Sequence, residues 1–168
     1  MNRIIRPMEA HDLAGCIAFW RDTDGLVLRE ESDCPEALER FLQRNPGLSF
    51  VAEEEGEIVG AVLCGHDGRR AYLYHLAVRP DHRRTRCATA LIDSVWLVLK
   101  ADGITRCHAY VRSRNLTAMQ FWDRCEAELR RDIDVVSFCL DRTETVTQAG
   151  PFIAQLRAQG VGSWWMPY

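Results

Sequence analysis

Apolar residues recur along the chain with two different periods, and each period predicts a type of secondary structure. A short first strand is predicted over residues 3–6. A helix follows, because four apolar residues recur at i, i+3, i+4 and i+7: Leu13, Cys16, Ile17 and Trp20. Thr23–Asp33 has no clear period and is predicted as a loop. Pro35 is well placed to begin a second helix, which Asn45-Pro46-Gly47 ends.

The middle of the chain is richer in β-branched and aromatic residues, which indicates strands. Leu48–Ala52 and Ile58–Cys64 flank an acidic turn and most simply form a hairpin. The polar turn Gly65–Arg70 then leads into the central strand, Tyr72–Val78. From Ala88 the apolar positions return to helical spacing, at Leu91, Ile92, Val95 and Leu99.

The last third of the chain repeats the alternation of strand and helix. A strand is predicted over Thr105–Val111, a helix capped by Asn115 comes next, and a last strand is predicted over Ile133–Leu140. The resulting order, βααβββαβαβ, predicts an α+β (mixed α/β) domain around one sheet. Residues 1–140 form that domain in this interpretation. Residues 141–168 form an extension whose apolar end is expected to fold back on the domain, to contact a second copy, or to cover a cleft.

Composition narrows the class of protein. The 168 residues suffice for one domain with a real core, and the net charge of −3 argues against a general nucleic-acid binder. The sequence has no apolar run long enough to span a bilayer, and its first residues do not resemble a signal peptide. Seven scattered cysteines without a CxxC pair are typical of buried thiols in a reducing compartment, so a cytoplasmic protein is expected.

A cluster of cations separates the central strand from its helix. It consists of Arg79, His82, Arg83, Arg84 and Arg86. A helix start adds amides without intrahelical partners and the positive end of the helix dipole. This combination favours an anion such as a pyrophosphate at the start of the helix.

At this point the sequence resembles the GCN5-related N-acetyltransferase (GNAT) family. Arg83-Arg84-Thr85-Arg86-Cys87-Ala88 falls on the family's acyl-CoA signature, Gln/Arg-x-x-Gly-x-Gly/Ala, directly after a Val-x-Pro turn. The downstream pattern Asn-x-x-Ala-x-x-Phe-Tyr falls on Asn115, Ala118, Phe121 and Trp122. The resemblance implies a central, mostly antiparallel, splayed sheet flanked by helices.

The resemblance also implies a donor site and a reaction. Acetyl-CoA is the implied acyl donor, and an amine of a small molecule or peptide attacks its thioester directly. The implied coenzyme-binding residues are Leu76, Ala77 and Val78 for the pantetheine arm, Arg83, Arg84, Thr85, Arg86, Cys87, Ala88 and Thr89 for the pyrophosphate, and Asn115 near the arm. No metal is implied. A homodimer is compatible with the apolar tail.

Two positions depart from the family pattern. Arg86 stands where the signature has glycine, which lets the backbone approach phosphates and bend freely. Trp122 stands where many members have the tyrosine that protonates the leaving thiolate, and an indole only donates. These departures keep a second hypothesis open, in which a degenerate domain binds an acyl-CoA or a protein without catalysis. A nucleic-acid contact through the arginine turn is the weakest hypothesis, given the net charge.

Candidate proton-transfer groups lie on the central strand. Strict alternation places Tyr72 and Tyr74 on one face with Leu76 and Val78, and a phenol there can replace the missing acid. Alternation places His75 on the opposite face, so His75 and the tyrosines are not expected to share the cleft. Other candidates are Tyr110 as a packing residue, the acidic loop residues Glu30, Glu31 and Asp33 near the acceptor, and the adjacent pair Cys107 and His108, whose side chains should point apart.

Overall fold

In the described part of the chain, five strands form one sheet in which neighbours along the chain are neighbours in space. The computed structural model describes residues 3–137. The strands are β1 (Arg3–Pro7), β2 (Phe50–Glu54), β3 (Glu57–His66), β4 (Ala71–Val78) and β5 (Cys107–Ala109). The first four pair antiparallel in the order β1-β2-β3-β4, and β5 joins β4 in parallel. The predicted mostly antiparallel α+β sheet is confirmed.

Within residues 3–137, five α-helices accompany the sheet. They are α1 (Leu13–Arg21), α2 (Glu30–Asp33), α3 (Pro35–Arg44), α4 (Cys87–Ala101) and α5 (Leu116–Arg124). Pro35 occupies the first turn of α3, where its missing amide costs nothing. Asn115 caps α5 by accepting a hydrogen bond from the Ala118 amide at 3.0 Å. Both of these helix starts agree with the sequence prediction.

The helices bury two apolar clusters, one on each face of the sheet. On one face, the predicted stripe of α4 is buried: Leu91, Ile92, Val95 and Leu99. On the other face, the whole stripe of α1 is buried with Leu38 of α3. Because each helix hides the residues that its period selects, the described helices cover both faces of the sheet.

A β-bulge interrupts the pairing of β3 with β4. Leu63 pairs with Tyr74 and Ala61 with Ala77, so the single residue Val62 faces two residues of β4. One of these two, His75, has a positive φ of 51°. A bulge of this kind shifts the alternation of side chains by one residue.

The bulge overturns the predicted face assignments on β4. Tyr74 lies against Phe41 of α3, while the next residue, His75, contacts Trp20 of α1. Leu76 and Val78 instead pack in the cluster beneath α4. Tyr74 and His75 therefore share one face, and Leu76 and Val78 lie on the other, which corrects the expectation from strict alternation.

Strands β4 and β5 separate soon after they pair. In the part of the chain that the structure describes, β5 pairs only with Ala71–Leu73. Residues 74–78 of β4 therefore have β3 on one side and no strand on the other. The predicted splay of the sheet is confirmed, and it leaves backbone N–H and C=O groups available along this edge.

Several predicted boundaries differ from the structure. The interval predicted as a loop contains the short helix α2, and β5 covers only three residues of the predicted strand 105–111. Residues 133–137 of the predicted last strand are coil, and residues 138–140 lie outside the described range.

By its internal packing the chain separates into two units, residues 1–127 and 128–168. No helix within residues 3–137 is long and apolar enough to cross a membrane.

Candidate active site

The amino end of α4 opens beside the end of β4. The first i to i−4 hydrogen bond of the helix runs from the Ala90 amide to the Arg86 carbonyl at 2.9 Å. The amides of Cys87, Ala88 and Thr89 therefore precede the internal bonding of the helix. The helix is 15 residues long, and its dipole favours negative charge at this end. The geometry suits a phosphate.

Two residues of the basic turn adopt a left-handed backbone. Arg84 has a φ of 61° and Arg86 a φ of 63°. A side chain in this region crowds the backbone, whereas glycine does not. The turn thus keeps a backbone conformation that glycine favours, although arginine occupies both positions. Arg86 ends the turn as the residue directly before α4.

Arg83 connects the turn to the open strand edge. Its Nε donates a hydrogen bond to the carbonyl of Val78 at 3.1 Å. Val78 is one of the residues that the resemblance assigns to the pantetheine arm. Because this carbonyl already has a partner in the protein, Arg83 positions the end of β4, and its remaining guanidinium N–H groups are the ones open to a phosphate.

The buried carboxylate of Glu54 helps to hold the basic turn before α4 in place. Glu54 is 8% exposed and lies 3.5 Å from Arg3 and 3.3 Å from the imidazole of His82. Arg3 also donates to the carbonyl of Thr85 at 3.1 Å. Strand β1, strand β2 and the turn therefore meet at one ionic cluster, which holds the turn in place through charge-assisted contacts.

A cleft of about 580 Å³ lies on the α1 side of the same turn. Acidic and basic residues both line the cleft. The acidic residues are Asp22, Asp24 and Glu57, and the basic residues are Arg79 and Arg83. Arg83 therefore borders this cleft as well as holding the end of β4. Mixed charge of this kind suits polar, zwitterionic contacts rather than a purely anionic group.

Three tyrosines cluster where β4 and β5 diverge. Tyr72 stacks on Tyr110 with ring centroids 6.1 Å apart, and Tyr74 lies 6.4 Å from Tyr110. Tyr72 belongs to the paired part of β4, opposite His108, whereas Tyr74 is the first residue beyond it. Burial, followed by the neighbouring Tyr110 and Tyr72, raises the pKa of the Tyr74 phenol, so Tyr74 stays protonated at neutral pH.

His75 and Asp33 form a close pair on the same face. The imidazole Nε2 lies 2.7 Å from Asp33 Oδ1, and both side chains are nearly buried, at 13% and 12% exposure. Asp33 Oδ2 also accepts the amide of Arg29 at 2.6 Å. Asp33 thus joins α2 to the bulge of β4, whereas Glu30 and Glu31 are exposed on the same short helix.

The remaining candidates are structural. Trp122 packs against the cluster beneath α4 and contacts Phe121 at 5.2 Å, and its indole has no proton to exchange with a thiolate near neutral pH. The ring of His108 lies 5.7 Å from that of Tyr72, while the Cys107 thiol contacts the carbonyl of His108 at 3.8 Å. The pair therefore does not form a thiol–imidazole nucleophile.

The sequence does not predict that Tyr74 and His75 share one face of β4, or that His75 pairs with Asp33. The positive φ at His75 creates the bulge, and no glycine or asparagine marks that position in the sequence. Asp33 was recognised only as part of an acidic loop. Among residues 3–137 the structure contains no cluster of metal-ligating side chains.

Comparison with known proteins agrees with the fold. The family model described as "Acetyltransferase (GNAT) family" matches residues 16–126. An acetyltransferase of Pectobacterium atrosepticum is 37% identical over 124 residues, which cover 74% of this chain and 86% of that protein. The chain belongs to the GNAT acetyltransferase family.

Solved structures place the fold in the same group. The PaiA N-acetyltransferase of Thermoplasma acidophilum, in complex with coenzyme A, aligns with a TM-score of 0.66 at 20% identity. The alignment covers 74% of this chain and 89% of the PaiA chain. The ribosomal-protein-alanine N-acetyltransferase of Brucella melitensis biovar Abortus aligns with a TM-score of 0.65 at 18% identity, covering 82% and 100%. At these identities the likeness concerns the fold.

Proposed function

We propose that this protein is an N-acetyltransferase that transfers the acetyl group of acetyl-CoA to an amine of a small molecule or peptide, by direct attack within a ternary complex. The observation that carries the proposal is the open edge of β4 over residues 74–78, which runs into the free amides of α4. One edge supplies backbone hydrogen bonds to an extended arm, and one helix end supplies a phosphate site.

The donor would follow this line from strand to helix. Backbone groups of Leu76, Ala77 and Val78 would hold the pantetheine arm. The amides of Cys87, Ala88 and Thr89, with the arginines of the turn, would hold the pyrophosphate. Asn115 would border the arm from the start of α5. When bound, acetyl-CoA supplies the activated acyl group, and the protein supplies alignment and proton transfer.

Tyr74 is the proposed acid for the leaving thiolate, with Tyr72 as the second candidate. Tyr74 lies where the strands part and is 37% exposed. Because the pKa of its phenol is raised, it carries a proton throughout the neutral range and can donate that proton as the C–S bond breaks. Tyr72 is held in the stack with Tyr110, which favours a supporting role.

A second candidate function is a binding module without catalysis. The observation that favours it is the pair of left-handed arginines, since each places a side chain at a backbone position that glycine would leave open to a phosphate. Trp122, which cannot supply an acid, points the same way. The two functions differ in one measurable property, because only the enzyme releases free coenzyme A when an amine is added.

The first experiment is thermal unfolding with and without millimolar acetyl-CoA, followed by thiol release with a panel of polyamines, amino sugars and short peptides. Ligand at 100 times its dissociation constant adds about 2.7 kcal/mol, or several degrees. A shift with amine-dependent thiol release supports the enzyme. A shift without thiol release supports the binding module. If acetyl-CoA causes no shift, the protein does not bind the donor and the proposed donor site is wrong.

A matched pair of substitutions locates the donor. Thr89→Glu places a carboxylate in the first turn of α4, where it suits the helix dipole but repels a phosphate. Leu97→Glu makes an equally charged change on the same helix at a site that is 73% exposed. We expect Thr89→Glu to weaken acetyl-CoA binding by about tenfold, and Leu97→Glu to leave it unchanged. Equal effects would move the pyrophosphate away from α4.

A further inference from the structure

The bulge in β4 places the side chain of His75 on the face of the sheet that α1 covers. His75 directly precedes Leu76, the first of the residues proposed to hold the arm near the thioester. Its side chain turns toward α1 and α2 rather than toward α4. If the arm follows the open edge as proposed, this side chain would border the thioester carbonyl, on the face opposite to the helix that would bind the phosphates.

The contacts of His75 define which ring nitrogen is free. Asp33 Oδ1 lies 2.7 Å from Nε2, and a carboxylate in this pair accepts the N–H of a neutral imidazole. Nδ1 is then the nitrogen with the lone pair. Trp20 holds the ring from the side, with centroids 5.1 Å apart.

We propose that His75 and Asp33 form the proton-accepting dyad for the acceptor amine, in which His75 is the base and Asp33 its positioning residue. This inference rests on the proposed acetyltransferase function and names the residues that serve its acceptor. The acceptor class is a basic amine that arrives as an ammonium ion, because such a group must lose a proton before it can attack.

The step balances with the groups present. The ammonium gives one proton to Nδ1, and the imidazole becomes an imidazolium that Asp33 stabilises. The freed lone pair attacks the thioester carbon, the C–N bond forms, and the C–S bond breaks with the electron pair leaving on sulfur. The acid gives its proton to the sulfur and is left as a phenolate, and the second proton lost by the acylated nitrogen restores that phenol through solvent. The imidazolium returns its proton to water.

The surroundings of His75 isolate this pair electrostatically. From α2 the facing charge is Asp33, α1 contributes the ring of Trp20, and α3 contributes Phe41 beside the neighbouring Tyr74. On the same face of the sheet, strand β3 contributes the apolar residues Ala61 and Leu63. Within the described residues, Asp33 is therefore the charged side chain in contact with the imidazole.

The test compares His75→Gln with the wild type in steady-state thiol release across pH. Glutamine can keep a donor toward Asp33 but cannot accept a proton. With the best amine of the panel we expect kcat/KM to fall about 100-fold and its rise with pH to disappear. With hydroxylamine, a nucleophile already unprotonated near neutral pH, the loss should shrink to less than tenfold. His66→Gln, which alters another histidine–carboxylate pair at 3.4 Å, should behave as the wild type.

Asp33→Asn tests the positioning role. The asparagine amide would present a donor to Nε2 and favour the tautomer with the proton on Nδ1, where the lone pair is needed. We expect the pH profile of kcat/KM to be displaced while the thermal shift caused by acetyl-CoA changes little. A contact with a merely structural role would not displace the pH profile. A His75→Gln protein with an unchanged pH profile, or with an equal loss toward hydroxylamine, overturns the dyad alone. A wild type that releases no thiol with any amine overturns the proposed function and the dyad with it.

Discussion

Gly25 packs directly against the side-chain amide of Asn115. A Cβ placed on Gly25 would lie 2.4 Å from Asn115 Nδ2, and Gly25 has a φ of 87°. The same Asn115 accepts the Ala118 amide and thereby caps α5. The loop after α1 therefore packs on Asn115, which caps α5 and is also the residue that the family resemblance assigns to the coenzyme.

We expect Gly25→Ala to lower the free energy of unfolding by about 2 kcal/mol. Half of this cost is backbone strain at positive φ, and the other half is loss of the cap as Asn115 is displaced. Urea unfolding monitored by tryptophan fluorescence measures it. The same substitution should weaken acetyl-CoA binding, because Asn115 moves.

Gly68→Ala is the matched control for this prediction. Gly68 has the same φ of 87°, but nothing lies within 4 Å of its Cβ position. It should cost only the backbone strain, about 1 kcal/mol. In an Asn115→Ala background the cost of Gly25→Ala should fall to that of Gly68→Ala, since the crowded amide is gone. Equal costs at both glycines in the wild-type background would show that the contact carries no energy.

Arg84→Gly and Arg86→Gly should each stabilise the protein. Relief of the left-handed side chain is worth about 1–2 kcal/mol, and the greater freedom of glycine in the unfolded chain returns about 0.5–1 kcal/mol. The expected net gain is about 0.5–1 kcal/mol per site, or 1–3 °C in Tm for a domain of this size. Calorimetry of the two single variants and the double variant measures it.

Arg83→Gly provides the contrast within the same turn. Arg83 has a φ of −70°, and its Nε holds the Val78 carbonyl, so glycine there loses a contact and relieves no strain. It should destabilise. Stabilisation at all three positions would mean that arginine bulk, rather than φ, is the cause. For the ligand, a large loss of acetyl-CoA affinity in Arg86→Gly would identify Arg86 as a phosphate contact, whereas unchanged or tighter binding indicates that its bulk obstructs.

The contrast among these turn residues shows how far the sequence leads. The order of strands and helices, the buried stripes of α1 and α4, and the cap at Asn115 follow from periodicity and capping chemistry, because these signals are local. The basic turn before α4 is equally visible. Its left-handed conformation is not, since arginine gives no local signal for positive φ.

The bulge at His75 is the clearest case of a feature that sequence patterns miss. Alternation over Tyr72–Val78 is regular, and it predicts His75 opposite Tyr74. The structure inserts one extra residue opposite Val62, and this tertiary constraint moves both side chains to one face. The pair of His75 with Asp33 depends on that shift and on a separation of 42 residues, which no local pattern encodes. The short helix α2 is missed for a similar reason, since four polar residues show no period.

Acid should destabilise the protein partly through Asp12. The carboxylate is 4% exposed and accepts both guanidinium Nη groups of Arg6, at 2.7 and 2.8 Å. Burial alone would raise the pKa of Asp12, but the hydrogen bonds from Arg6 and the Glu9 amide, with the charge of Arg6, outweigh it and lower the pKa. A lowered folded pKa stabilises the fold above the unfolded pKa of about 4, and this contribution is lost as pH falls below it.

Asp12→Asn should therefore cost about 3 kcal/mol at pH 7, because Arg6 loses a buried charged partner. The difference from the wild type should shrink as the pH falls below about 4, because the unfolded wild-type chain takes up a proton at Asp12 there, and it should be smallest once the folded carboxylate is also protonated at lower pH. Urea unfolding at a series of pH values measures both. The control is Asp132→Asn, which alters an exposed carboxylate bonded to Arg130 and should leave stability unchanged. A constant difference between Asp12→Asn and the wild type at every pH would contradict the linkage.

Tyr74→Phe tests the proposed acid directly. Phenylalanine keeps the ring contacts with Phe41 and Tyr110 but has no proton for the leaving thiolate. We expect kcat to fall about 100-fold with little change in the thermal shift by acetyl-CoA. Since the acid acts when protonated and burial raises the pKa of Tyr74, loss of its proton should not lower wild-type kcat until above pH 10, and any fall beyond that should be absent in the variant. Tyr110→Phe and Tyr72→Phe make the same change within the cluster and should keep most of the activity. If Tyr72→Phe is instead the inactive variant, the acid lies in the paired part of β4 and the stack with Tyr110 serves to position it.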